Sequence, residues 1–117
     1  MNHHSAVKIL DAATAANDLG ERHTPFKTPK RSFQAYGQAA TGTGAATVAI
    51  RGSNRDNADP SIDSHWITIG TITLTFAVMA TEYTDGFTTD SPWRHVNAKV
   101  TAMTAAVGGE ISVMMGG

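Results

Sequence analysis

The chain has 117 residues, a formal net charge of −1 and charged side chains at 16% of positions. That length suits one domain, the charge balance offers no field to draw in a polyanion, and the absence of cysteine excludes a fold stapled by disulfides. The charged share lies well under the ordinary ~25%, as on a surface that neighbouring molecules cover.

Residues 1–5 carry no apolar run behind a basic one, which predicts no secretory leader. His3 and His4 read as a polar start rather than half of a metal site. No apolar run approaches the ~18–20 residues of a membrane span. In Val7-Lys8-Ile9-Leu10 the apolar residues cluster instead of recurring at 3.6, so a first strand is expected over residues 6–12, followed by a loop. Pro25 and Pro29 each remove a backbone donor and favour extended geometry, which places Thr24-Pro25-Phe26-Lys27-Thr28-Pro29-Lys30 at an edge or in an arm. Lys27, Lys30 and Arg31 form the one basic cluster, too small for a nucleic-acid footprint and read as a solvated arm.

Arg31-Ser32-Phe33-Gln34-Ala35-Tyr36-Gly37 reads as a strand with Phe33 and Ala35 on one face. A Gly- and Thr-rich turn over residues 38–44 follows; it lacks the Lys-Ser or Lys-Thr of a phosphate loop. In the next strand Ala46, Val48 and Ile50 alternate with Thr47, Ala49 and Arg51. Residues 53–63 hold almost nothing apolar and form a surface loop; Asn54-x-Asp56-x-x-Asp59 is only loosely calcium-like, without the Gly and distal Glu of a helix-loop-helix site.

The most β-prone stretch runs from Trp66 to Phe76. Ile72, Leu74 and Phe76 point one way, Thr71, Thr73 and Thr75 the other, and Gly70 marks a turn or bulge. Residues 82–92, with Asp85-Gly86 and Ser91-Pro92, read as turns. Residues 93–102 alternate again, with Val96, Ala98, Val100 and Ala102 inward and His95, Asn97, Lys99 and Thr101 outward. Ile111-Ser112-Val113-Met114-Met115 is the last strand. Gly44-x-Ala46-x-Val48-x-Ile50 echoes Gly109-x-Ile111-x-Val113-x-Met115.

Short strands joined by Gly-rich turns, with no amphipathic helix between them, predict one all-β domain over residues 1–117. The expected fold is an antiparallel β-sandwich, jelly-roll-like, with residues 17–31 as a loop or extended arm. No Ser, His or carboxylate falls in a recognisable nucleophile or acid–base motif, so no catalytic residue, cofactor or metal site is assigned. Trp66, Trp93, Phe87 and Tyr83 would make a sugar-stacking platform if they shared one exposed face; as strand-end aromatics they read first as lids on the core, with Trp93 largely buried. The expected partner contacts are Pro25, Phe26, Lys27, Pro29, Lys30 and Arg31, because a sandwich leaves edge strands and Phe26 suits a neighbour's groove.

Four stretches carry a resemblance: Ser32-Phe33-Gln34-Ala35-Tyr36-Gly37, the segment from Gly44 to Ser53, the segment from Trp66 to Leu74, and the segment from Trp93 to Thr101. In these the chain resembles small β-sandwich proteins encoded among the virion genes of tailed bacteriophages. The resemblance implies a particle component without catalysis, located in the virion: a capsid cement or decoration protein that stabilises the head lattice, or else a head–tail, tail or fibre accessory protein. It implies contact with the major capsid or other virion proteins; the edge strands of a sandwich lead to the expectation of self-association as a dimer or trimer, and the composition to neither nucleic-acid nor membrane binding. A carbohydrate-binding module is the competing class.

Overall fold

The computed structural model describes residues 6–24, 30–90, 93–104 and 109–116. Among these residues there are seven strands: β1 Ala6–Ala13, β2 Arg31–Gln38, β3 Gly44–Ser53, β4 Ile67–Phe76, β5 Tyr83–Thr89, β6 His95–Met103 and β7 Glu110–Gly116. A 3-10 turn at Asp63–His65 leads into β4. All strand pairs are antiparallel, and they form two sheets in the orders β1-β7-β2-β5 and β4-β3-β6.

The two echoing segments supply the inner strands β3 and β7. Residues 17–24 run along the outer edge of β6, bridging Leu19 to Lys99 and His23 to Val96. Backbone bonds from Asn17, Gly20 and His23 to the carbonyls of Val100, Ala98 and Val96 hold them there. With that stretch as a ragged fourth strand, the chain crosses between the sheets at each connection except the one from β3 to β4, as in a jelly-roll-like sandwich.

The core lies between the sheets. Phe33 and Ala35 of β2, Ala46, Val48 and Ile50 of β3, Ile72, Leu74 and Phe76 of β4, Val96, Ala98 and Val100 of β6, and Ile111 and Val113 of β7 are all at most 2% exposed. These are the residues whose shared alternation predicts an inward face. Ile9, Leu10, Ala13, Ala39 and Met115 join them. Consecutive Ile9 and Leu10 both turn inward because β1 is bulged against β7, with register shifts between Lys8 and Leu10 and between Leu10 and Ala13, and with Ala12 at φ 47°.

Three readings of the sequence are corrected. Residues 82–92 contain a strand, β5, paired in continuous register with β2 from Arg31–Thr89 to Gly37–Tyr83. Asp85-Gly86 is not its turn: Gly86 lies opposite Gln34, where a Cβ would collide with the Phe33 carbonyl oxygen. There glycine permits close pairing rather than reversal. His95 and Asn97, expected outward, are 4% and 0% exposed, since residues 17–24 cover the flank of β6. Ala102, expected inward, is exposed, because a register shift against β3 between Thr47 and Val48 reverses the phase of β6 after Val100 and turns Met103 toward the core instead. After β4, Val78 and Met79 are exposed in the turn that follows it.

Candidate functional site

The loop between β3 and β4 is tied down by a charged residue that the alternation alone would place in solvent. Arg51, 5% exposed, donates from Nε to Asn97 Oδ1 at 3.1 Å, from Nη1 to Asp63 Oδ1 at 3.0 Å and from Nη2 to the Pro60 carbonyl at 2.9 Å. Its guanidinium also stands 5.3 Å from the centre of the Trp66 ring. Asn97 completes the brace: its Nδ2 donates to the carbonyls of Gly20 and Glu21 and so holds residues 17–24 on β6. Lys99 Nζ donates to both carboxylate oxygens of Asp63, at 2.9 and 3.1 Å. Lys99 and then Arg51 hold the Asp63 carboxyl below the usual carboxylate range, while burial lowers the Arg51 pKa.

Nearby, the loop carboxylates are engaged separately. Asp59 accepts from the backbone and hydroxyl of Ser61, which lowers its pKa. Asp56 pairs with Arg94, whose backbone N–H donates to Asn54 Oδ1. The calcium-like trio is therefore split between Arg94 and Ser61. Among the described residues, no group of three or more His, Asp or Glu is arranged to hold a metal ion.

His95 sits at the start of β6 with Nδ1 2.8 Å from the Thr24 hydroxyl. Its Nε2 is buried without a hydrogen bond of ordinary geometry among the described residues. Burial first, then the positive charges of Arg22 and Arg94, push the imidazole below its usual pKa; the Arg55 backbone and Asp56 oppose the shift.

The four aromatics do not share a face. Phe87 packs against Phe33 with ring centres 5.3 Å apart, and Tyr83 lies 6.3 Å from Phe76, so both serve the core of the first sheet's edge. Trp66 and Trp93 instead flank a cleft of about 390 Å³ that also includes Gly52, Asn54, His65 and Ile67. Trp66 is only 7% exposed and commits its indole N–H to the Asp59 carbonyl at 2.8 Å. Trp93 is half-buried, its ring lying on Gly52. An exposed stacking platform needs free ring faces, and Trp66 offers none.

Of the expected partner contacts, Pro25, Phe26, Lys27 and Pro29 lie outside the described residues. Lys30 is exposed, 3.9 Å from Asp90. Arg31 is turned inward at the first pair of β2 and β5, and its Nη1 donates to the Trp93 carbonyl at 2.9 Å. Burial lowers its pKa. Arg51 and Asn97, which do most to position the loop, are residues that sequence reasoning misses. Each sits at an outward phase of its strand, and what buries it comes from distant segments.

No known family model matches the chain, and no curated protein matches it. Among solved structures, a chain from Bacillus endospore appendages, described as a novel family of disulfide-linked pili, is similar over 97% of this chain and 85% of its own, at 17% identity and a TM-score of 0.46. The present chain has no cysteine with which to form such a link.

Proposed function

We propose that this protein is a non-catalytic structural subunit that works by contact with other protein chains, and more specifically a cement or decoration protein of a tailed-phage capsid. One observation carries the reading: the polar groups drawn into the fold are spent on holding it rigid, while the outer face of the β4-β3-β6 sheet is almost chargeless. Arg51, Asn97, Asp63 and Lys99 bind one another and the backbone. On the outer face, Thr71, Thr73, Thr75 and Thr101 are exposed beside half-buried Thr47. A rigid block with a flat, neutral face suits lattice packing, since it needs neither charge pairing nor ordering on contact.

In this reading the arm from Pro25 to Lys30 makes a second contact, with Phe26 in a neighbour's groove and Lys27 and Lys30 at an acidic rim, and Arg31 pins its base. Self-association as a dimer or trimer and attachment to the major capsid protein follow. Mass spectrometry of purified particles from a tailed phage carrying this coding sequence is the test. The protein is expected as a stoichiometric component, and Phe26→Ser should lower its occupancy. Its absence from particles, with expression confirmed, contradicts the virion reading.

A further inference from the structure

We infer that β4 is a self-pairing edge: two copies join β4 to β4 antiparallel about a two-fold axis at Thr73, fusing their β4-β3-β6 sheets into one. This rests on the reading of the chain as an assembling subunit and names the surface that does the assembling.

The argument begins with how each sheet edge is protected. An open edge recruits other chains unless charge, proline, bulges or a covering segment blunts it. The β1 edge carries Lys8 and Asp11 and two register shifts. The β5 edge is seven residues long, and self-pairing would bring copies of Asp85 near each other. The outer edge of β6 is covered by residues 17–24, which themselves present Asp18, Glu21 and Arg22. β4 is the least protected: its one register shift, at Ile69, lies near its start, and from Gly70 to Phe76 it pairs with β3 in continuous register. It is ten residues long, has no proline and no charge, and pairs on one side only among the described residues.

Its sequence is also self-complementary. Antiparallel pairing about Thr73 sets Thr73 against Thr73, Thr71 against Thr75, and Ile72 against Leu74. The threonines fall on the outer, exposed side and the aliphatics on the core side, where both are 2% exposed. A register slip by one residue would set Thr against Ile or Leu, and a slip by two would leave one of the three exposed threonines without a threonine opposite; the two-fold at Thr73 is the register that pairs all three. The side-chain chemistry required is already present within the subunit, where Thr47 and Thr73 lie opposite each other with their hydroxyl oxygens 3.0 Å apart. Because the strand is uncharged, no like charges meet across the axis.

Single cysteines in this cysteine-free chain test the geometry directly. Residues opposite each other in an antiparallel pair have Cα atoms about 4.5–5.5 Å apart, within disulfide reach. Two copies of residue 71 would be separated by about four residue steps, roughly 13 Å, which is too far. Under mild oxidation, full-length Thr73→Cys should give at least tenfold more covalent dimer than Thr71→Cys or Thr75→Cys alone. A mixture of Thr71→Cys with Thr75→Cys should restore the cross-link. Thr73→Lys, with an unchanged β-sheet circular dichroism spectrum, should lose self-association. Equal or negligible cross-linking by all three cysteines in a protein that still self-associates overturns the β4 edge and leaves the assembly reading standing. A wild-type chain that stays monomeric at every concentration overturns both.

Discussion

At the residue scale, Arg51 and His95 are two buried cations-in-waiting with opposite fates. Arg51 keeps its charge because Asp63, Asn97, the Pro60 carbonyl and the Trp66 ring surround it. Arg51→Ala strips a buried partner from Asn97 and releases the loop, and should cost about 3 kcal/mol in urea denaturation. His95 is pushed toward its neutral form first by burial and then by the positive charges of Arg22 and Arg94. Its folded pKa lies below the ordinary 6.5. In the window between the two values the unfolded chain binds the extra proton, so His95 contributes its stability fully above 6.5, and that stability is lost as pH falls through the folded value. Asp63 acts lower on the scale: its contribution is present above the ordinary 3.8 and disappears as pH drops through its depressed folded value. Denaturation midpoints measured across this range should fall in two stages on acidification, and His95→Gln should remove the upper stage only. A wild-type midpoint that is flat from neutral pH down to the carboxylate range would contradict the assignment to His95.

At the element scale, residues 17–24 decide which part of β6 is interior. Gly20 makes the cover possible, because a Cβ there would collide with the Ile9 carbonyl oxygen. Gly20→Ala should therefore push the segment off, expose Asn97 and His95, and cost about 2 kcal/mol. Hydrogen exchange at the Val96 and Val100 amides, which donate to the carbonyls of His23 and Asp18, should speed up in that variant while β3 stays protected. The same element shows where sequence reasoning ends. Alternation in β2, β3 and β7, and in β4 and β6 away from their bulges, makes the core face legible, because a period-two pattern commits every second residue to one side. It cannot say that an irregular segment, remote in sequence, will cover the other side of β6. It also hides β5, whose Asp85-Gly86 pair reads as a turn and serves as close strand pairing. The brace at Arg51 was illegible for a like reason: its partners Pro60, Asp63 and Asn97 come from a loop and another strand, and no local motif announces them.

At the scale of the whole molecule, a jelly-roll-like sandwich with two blunted edges, one covered edge and one open edge has a direction in which to grow. Its β4-β3-β6 face is neutral and threonine-rich, and its interior polar groups brace the fold. The central claim is that such a subunit acts by assembling with other copies and other chains. Sedimentation velocity of the full-length wild-type protein over a rising concentration series tests it most directly. The account predicts a reversible shift from monomer to a defined dimer or trimer, weakened by Thr73→Lys. A single monomeric species at every concentration would contradict it.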